Sequence, residues 1–133
     1  MPVALEIVSP EKLLLSRPVD MVVIPAWEGE MGVLPGHAPA IVMLRGGVIA
    51  LYQGDQITDR LYVSGGFAEV TPERCTVLAN EVRPVAELTR AEAETRMGAA
   101  VLAFESAGKE DTAAQEAGMD QIQAAQAMAD AIS

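Results

Sequence analysis

The sequence has few of the residues on which catalysis, metal binding and disulfide bonding depend. Among its 133 residues are one cysteine and one histidine, so no intrachain disulfide forms and no zinc site can be built from several such ligands. Lys and Arg total 9 against 19 Asp and Glu, a formal net charge of −10 at pH 7. Nucleic-acid binding needs basic groups opposite phosphates, so we expect no nucleic-acid partner.

The sequence also has no apolar run close to the roughly 20 residues that a membrane-spanning helix needs. It does not start with a basic segment followed by an apolar one, so we expect no signal peptide and no direct membrane insertion. Aromatic residues make up only 4% of the chain, whereas 50% is hydrophobic. The core is therefore expected to consist mainly of aliphatic side chains in one compact domain, with or without an appendage.

The first 84 residues have the pattern of a β domain. Short β-branched runs alternate with turns that contain Gly, Pro or Asp, which predicts a mainly β domain, an antiparallel β-sandwich or barrel, over residues 1–84. Eight strands are predicted, at residues 4–9, 13–17, 20–25, 40–44, 47–52, 56–64, 67–71 and 75–81.

Beyond Pro84 the pattern becomes helical and alanine-rich, which predicts a C-terminal α-helical hairpin, two antiparallel helices over residues 85–133. Thr89 and Glu92 have the spacing of a capping box. Thr112 and Gln115 have the same spacing before the second helix. The apolar faces are mostly Ala and Met, so we expect the hairpin to need the β domain or a partner for stability.

Two further details of the hairpin follow from the same pattern. Gly108, between the helices, is suited to the left-handed conformation that ends a helix. On the second helix, one apolar face is predicted, formed by Met119, Ile122, Ala125 or Gln126, Ala129 and Ile132. The sequence leaves open whether the hairpin is folded against the β domain or extended.

A search for catalytic motifs finds little. Phosphate-binding and dinucleotide-binding glycine patterns are absent. Cys75 and His37 are one conceivable nucleophile–base pair, but Cys75 begins an apolar strand, where a lone cysteine usually behaves as a buried hydrophobe. His37 is expected to satisfy backbone groups of its turn. Glu28 and Glu30 are interpreted as solvated surface charges or a docking contact, so we predict no catalytic, metal or cofactor site.

Two blocks carry a resemblance to a known family. Residues 23–49, VIPAWEGEMGVLPGHAPAIVMLRGGVI, and residues 62–82, YVSGGFAEVTPERCTVLANEV, resemble the epsilon subunits of F-type ATP synthases. That family has a G-E-x-G-[IV]-x-P-G-H-A-P turn followed by an S-G-G-[FI]-x-E-V-x-P-x-x-[VC]-T-V-L-A-[DN] block. Both motifs occur in the expected order, and the layout of sandwich and helical hairpin matches along essentially the whole chain.

The resemblance implies a non-catalytic subunit of the central stalk, which is part of the rotor. Its expected partners are the gamma subunit, the membrane ring of c subunits and the alpha–beta catalytic head, to which c-ring rotation is coupled. The implied location is peripheral, on the cytoplasmic face of the bacterial inner membrane. No cofactor is expected.

The resemblance also implies docking residues. The glycines and prolines of the first motif block predict a rigid loop that projects Glu28 and Glu30 from one end of the sandwich. The resemblance implies that Glu30 faces polar loops of the c ring. The predicted c-ring docking loop comprises Glu28, Gly29, Glu30, Gly32, Pro35, Gly36 and His37. The predicted gamma-facing residues are Ser9, Pro10, Ala40 and Val42, although apolar residues of this strand fit an inner core equally well.

The C-terminal half departs from the family. Many bacterial members have an ATP-binding motif, I/L-D-x-x-R-A. Arg90 and Ala91 match it, but Ala86 and Glu87 replace its apolar residue and aspartate. Residues 110–133 carry only acidic charge, so an acidic partner repels them. We predict no tight ATP binding and weak or absent inhibition of ATP hydrolysis, with inhibition through apolar contacts alone as the alternative.

A second reading of the whole chain is a free-standing acidic β-sandwich module that binds other proteins. Composition and periodicity fit it equally well. The two motif blocks alone favour the ATP synthase interpretation.

Overall fold

The computed structural model describes residues 2–132, which form strands and then two long helices. The strands are β1 (Val3–Val8), β2 (Leu13–Val19), β3 (Met21–Ala26), β4 (Gly29–Val33), β5 (Ala40–Leu44), β6 (Gly47–Gln53), β7 (Gln56–Val63), β8 (Gly66–Val70), β9 (Arg74–Ala79) and β10 (Val82–Pro84). A 3₁₀ turn at Val85–Glu87 leads to α1 (Arg90–Ser106) and α2 (Thr112–Ala131). The predicted fold class, a β-sandwich followed by a helical hairpin, is confirmed. The eight predicted strands missed β4 and β10.

The strands are connected in the order β10-β7-β6-β3-β5-β8-β9-β1-β2, with β4 attached to β3. Every pair is antiparallel except β1 with β9, which run parallel. The expectation of a wholly antiparallel sheet is corrected at this one pair. The chain's first strand inserts beside its ninth, a long-range pairing that strand periodicity does not encode.

Alternate residues of the strands point inward and form the main core. In β1, for example, Val3, Leu5 and Ile7 are fully buried, while the residues between them face outward or are half-buried. This period of two is the reason that the segment forms a strand with one buried face. The core is aliphatic, as composition predicted, and Cys75 is part of it.

The helical hairpin is folded down against the sheet. α1 packs along α2, and α2 lies over β6 and β7. A second apolar cluster fills this contact and includes Tyr62, Leu88, Ala93, Met128 and Ala131. The hydroxyl of Tyr62, a residue with no exposed surface, donates to the backbone oxygen of Ala124 at 2.9 Å. The question that the sequence left open is thereby answered for this structure.

Small residues allow the close packing of this hairpin. An ideal Cβ placed on Gly46 would lie 2.6 Å from the Cα of Ala124, so the turn between β5 and β6 is in backbone contact with α2. The Gln123 side chain binds both backbone groups of Gly46, with each donor–acceptor distance 2.7 Å. Where the helices cross, Gly118 packs against the backbone of Phe104.

The capping residues predicted for the two helices agree with the structure only in part. Thr89 caps α1 as predicted, since its hydroxyl accepts from the backbone N–H of Glu92 at 3.1 Å. The predicted cap of α2 is wrong: Thr112 is the first helical residue, and the Asp111 side chain accepts from Ala114 N–H. The carboxylate one residue earlier is a better cap than the threonine hydroxyl because it is charged.

Of two other hairpin predictions, one is wrong and one is confirmed in part. The prediction for Gly108 is wrong, because Gly108 does not have a positive φ; α1 ends at Ser106, and its C-cap Ala107 is extended. The predicted apolar face of α2 is confirmed in part. Ala125 is buried, and Ala129 and Ile132 pack against the second apolar cluster, but Met119 is 58% exposed. Met128, which was not among the predicted residues, is fully buried.

Candidate docking surfaces

The segment predicted as a docking loop is mostly a β-hairpin. Residues 29–33 form β4, which pairs with β3 so that Glu30 lies opposite Pro25. The chain reverses at Trp27 and Glu28, and Gly29 follows with φ of +133°, a conformation that other residues rarely adopt. Glu28, Gly29 and Glu30 are therefore exposed at the hairpin tip, as predicted, but on a rigid hairpin and not on a loop.

The remaining loop residues lie at the other end of β5. Gly36, with φ of +85°, donates its N–H to the Pro72 oxygen at 2.7 Å, and His37 N–H donates to Leu34. His37 Nδ1 donates to the Ala38 oxygen at 2.7 Å, which is the expected structural role. The four residue steps of β5 separate this turn from the hairpin tip, about 13 Å at the rise of a β-strand.

Pro35 is exposed in that same turn, and Gly32 is exposed within β4. The seven predicted c-ring residues thus occupy two separate places on the sandwich, with only Glu28, Gly29 and Glu30 at the hairpin tip. Their docking role stays a prediction.

The predicted gamma-facing residues also differ in exposure. Ser9 and Pro10 form the turn between β1 and β2, where the Ser9 hydroxyl donates to the Lys12 oxygen at 3.3 Å. Ala40 is half-buried, and Val42 packs against the main core. In the same strand, Ile41 is 76% and Met43 60% exposed. The docking role of Val42 is untested, but its neighbours have the accessible side chains.

An apolar row crosses the outer face of this half of the sandwich. Each member of the row lies next to the following one on the neighbouring strand. The first pair is joined by a hydrogen bond from the Trp27 N–H to the Met43 oxygen, and each later pair is directly opposite in the register of two paired strands. The members are, in order, Trp27, Met43, Phe67, Leu78, Val8 and Leu13. Val8 is half-buried, and the others are between 37% and 60% exposed. We call this set the apolar row; it spans about 24 Å at the usual strand spacing.

Sequence reasoning missed the apolar row for a physical reason. β5 is apolar on both faces, so alternation of polar and apolar residues cannot tell Val42 from Met43. The row also joins residues from six separate segments. The one available signal in the sequence was that many large apolar residues occupy the strand positions that alternate with the buried ones.

A cation lies beside the first member of the row. The guanidinium carbon of Arg45 is 5.5 Å from the centroid of the Trp27 ring. Arg45 N–H donates to the Pro25 oxygen at 2.9 Å, which fixes the backbone at this corner. Exposed Trp27 thus presents an aromatic surface with a cation over it, a combination common at protein interfaces.

The described residues contain no arrangement suited to catalysis by Cys75 and His37. Cys75 is fully buried in the core, and desolvation raises the pKa of its thiol to about 11, so it stays protonated. Within residues 2–132 no group of three or more His, Cys, Asp or Glu side chains is placed to hold a metal ion. The same residues include no helix long and apolar enough to span a bilayer.

Comparison with known proteins decides the family. Residues 2–85 match the family described as "ATP synthase, Delta/Epsilon chain, beta-sandwich domain". The chain is 66% identical over 128 residues to the ATP synthase epsilon chain of Granulibacter bethesdensis, covering 96% of this chain and 95% of that one. It belongs to the ATP synthase delta/epsilon family. The family predicted from the two motif blocks is confirmed.

Other relatives support the same membership over both halves of the chain. The ATP synthase epsilon chain of Paramagnetospirillum magneticum is 49% identical over 127 residues, which are 96% of this chain and 94% of that protein. A chain of the Euglena gracilis mitochondrial ATP synthase, solved with OSCP, F1 and the c-ring, aligns with a TM-score of 0.79 and 25% identity over 99% of this chain and 82% of that one. A Tetrahymena thermophila chain from a central stalk and c-ring structure has the same fold, with a TM-score of 0.70.

This delta/epsilon-family chain ties its helical hairpin to the sandwich with ion pairs. Arg96 on α1 binds both carboxylate oxygens of Glu81 at 2.5 and 2.6 Å. Arg83 on β10 binds Glu92 on α1 at 2.6 Å, and Arg96 reaches Glu92 at 3.3 Å. The hydrogen bond that Glu92 accepts from Arg83 lowers the pKa of Glu92, and the hydrogen bonds that Arg96 donates to Glu81 raise the pKa of Arg96. Both groups therefore stay charged over the neutral range.

The partial ATP-binding motif lies next to this cluster. Arg90 and Ala91 are the first two residues of α1, and both are exposed. Glu87, at the position of the family aspartate, ends the 3₁₀ turn, and its backbone oxygen accepts from Arg83 at 3.3 Å. The residues at the positions of the family's ATP-binding motif are thus either exposed to solvent or engaged in backbone contacts within the fold.

Proposed function

We propose that this chain is a non-catalytic rotor subunit of an F-type ATP synthase, which transmits c-ring rotation through gamma to the alpha–beta head. Family membership over nearly the whole chain supports the role. The apolar row is the observation that carries the docking geometry, because exposed apolar surfaces of this extent mark interaction sites. The proposed location of the protein is peripheral, on the cytoplasmic face of the bacterial inner membrane, where its partners hold it.

The apolar row is the proposed contact with gamma. Five of its six members are more than a third exposed, although each is large and apolar. Ser9 and Pro10 adjoin the Val8 end of the row, and Val42 directly precedes Met43, so three of the four predicted gamma-facing residues border the row. Ala40 lies further along β5, beside the exposed Ile41. Covering the row would remove these side chains from water, which favours association.

The tip of the β3–β4 hairpin is the proposed contact with the c ring. Glu28 and Glu30 are exposed there, and no hydrogen bond or ion pair within the described residues engages their carboxylates. Basic and amide groups on polar loops of the ring are suitable partners for them. Trp27 belongs to both the tip and the row, so the two proposed contacts meet at one corner of the sandwich.

The helical hairpin is proposed to inhibit ATP hydrolysis weakly or not at all, and to bind no ATP tightly. Residues 85–133 hold three basic and nine acidic residues, a net charge of −6. Of the basic ones, Arg96 is already paired with Glu81. An extended hairpin would therefore offer mainly negative charge to the catalytic head, and an acidic surface there would repel it.

A pull-down from solubilised native membranes tests the docking proposal. The full chain carries a C-terminal tag, and two variants replace comparably exposed residues. Phe67→Asp, in the apolar row, is expected to lose gamma together with alpha, beta and c subunits, whereas Ile57→Asp, on β7 outside the row, is expected to retain them. Recovery of wild-type protein alone, or with unrelated partners, would instead favour the free-standing binding module.

Truncation after Pro84 tests the regulatory proposal. The truncated chain is exchanged into ATP synthase lacking the native subunit, and ATP hydrolysis is compared with that of the full-length reconstitution. We expect nearly equal rates. A several-fold rise on truncation would show that the hairpin inhibits through its apolar contacts despite its charge.

A further inference from the structure

One arginine differs from the others in its surroundings. Four arginines are half-buried in the described part of the chain, and three of them are paired with carboxylates: Arg17 with Asp59, Arg83 with Glu92 and Arg96 with Glu81. The fourth, Arg45, has no carboxylate within ion-pair distance and no hydrogen bond from its side chain to any residue from 2 to 132. Its contact is with the Trp27 ring.

The lack of a carboxylate at Arg45 is unexpected on composition. The chain has 19 acidic residues, and two of them, Glu28 and Glu30, belong to the adjoining hairpin tip. A half-buried guanidinium has lost part of its hydration and gains from a charge-assisted partner. This guanidinium is instead held over an aromatic ring, which uses its face and leaves its in-plane N–H groups available.

The position of Arg45 indicates where its partner comes from. Arg45 directly follows β5 and lies at the Trp27 end of the apolar row, so any surface that covers the row also approaches its N–H groups. We propose that the Arg45–Trp27 pair is the receptor for a single carboxylate on the gamma subunit, presented beside the apolar side chains that cover the row. This proposal rests on the proposed function and adds the charge chemistry of the partner.

The surrounding charges make this receptor selective. Glu28 and Glu30 lie at the tip beside Arg45, so a broadly acidic partner surface is repelled there. A surface with one acidic group opposite Arg45 and neutral or basic groups opposite the tip is accepted. Attraction at one point and repelling charges around it are a common basis of specificity, and they also fix the orientation of the docked sandwich.

The test measures binding of the full chain to ATP synthase from the same organism that has been stripped of this subunit. Arg45→Gln is expected to raise Kd at least tenfold and to make the dependence of Kd on salt concentration shallower. Arg60→Gln removes the same charge from an exposed arginine outside the row and is the matched control, with less than a twofold effect expected. Arg45→Lys, which keeps the charge but not the planar fork, should give an intermediate Kd.

The outcomes separate this inference from the proposed function. If wild type binds, Phe67→Asp does not, and Arg45→Gln binds like wild type with an unchanged salt dependence, the carboxylate receptor is refuted while docking through the row stands. If wild type fails to bind, or Phe67→Asp binds equally well, the docking proposal itself fails. Should Arg45→Gln lower the melting temperature, Arg45→Lys decides: a Kd equal to that of wild type overturns the receptor.

Discussion

Substitution of Gly46 by alanine is expected to loosen the helical hairpin from the sandwich. An ideal Cβ at this position lies 2.6 Å from the Cα of Ala124 and 2.9 Å from Oε1 of Gln123. Gly46 does not have a positive φ, so alanine suits the backbone and the whole effect is steric. A third contact, with the Cβ of Ala124, is at 3.0 Å, and a rotamer change cannot relieve either contact with Ala124.

The size of the effect follows from the distances. Carbon atoms pack at about 3.5–4.0 Å, so α2 has to retreat by about 1 Å. That shift stretches three hydrogen bonds, two from Gln123 to Gly46 at 2.7 Å and one from Tyr62 to Ala124 at 2.9 Å, beyond useful range. At about 1 kcal/mol each the three bonds total about 3 kcal/mol, and partial relaxation and the gain from a stiffer unfolded chain reduce this, so we expect a loss of about 1–3 kcal/mol.

Thermal unfolding followed by circular dichroism, together with hydrogen exchange of α2 amides, measures this loss. Gly46→Ala should lower the melting temperature by roughly 4–12 °C and reduce protection in α2 before that in β1 and β9. Gly98→Ala is the matched control. Gly98 lies within α1 with nothing within 4 Å of its ideal Cβ, so the same substitution should stabilise by about 1 kcal/mol. Equal or greater stability of Gly46→Ala would refute the close approach of α2 to the sheet.

Three further predictions concern the same junction. Met128→Ala should lower the free energy of unfolding by about 2–4 kcal/mol in urea titrations, because Met128 is fully buried, whereas Met119→Ala should change it little, as Met119 is 58% exposed. Burial raises the pKa of Tyr62 to about 12, so its stabilising effect is complete below about pH 10 and is lost between pH 10 and 12. Tyr62→Phe should remove the late step from the 295 nm titration, and persistence of that step would contradict its assignment to Tyr62. The pKa of Glu92 is lowered, so its contribution is present above the ordinary glutamate pKa and lost on acidification; Glu92→Gln should flatten the fall in melting temperature between pH 5 and 3.

The fold was largely predictable because its signals are local. Strand periodicity, the turns and the capping residue Thr89 each depend on neighbours within a few residues. β4 was missed because Gly29 and Gly32 are poor strand formers, and only pairing with β3 makes their segment a strand. The cap of α2 was misplaced by one residue because Asp111 and Thr112 are both good caps, and the carboxylate made the bond.

The docking surfaces were less predictable because they depend on tertiary neighbours. Glu28 and Glu30 were recognised through motif resemblance, and the structure exposes them. Nothing local distinguishes Met43 from Val42, since both are apolar residues of one strand. Trp27 and Arg45 are 18 positions apart, and only the pairing of β3 with β5 brings the ring and the guanidinium together.

The contacts between hairpin and sandwich also bear on the regulatory prediction. If the hairpin extended, Met128 would leave a fully buried site, Tyr62 would lose its acceptor at Ala124, and the Arg96–Glu81 pair would separate. Each change is unfavourable unless new contacts replace it. The catalytic head would have to supply them to a segment with a net charge of −6, from three basic and nine acidic residues. The same residues that hold the hairpin down thus leave the extended state with little to attract it, and we expect the folded-down state to persist in the assembled enzyme.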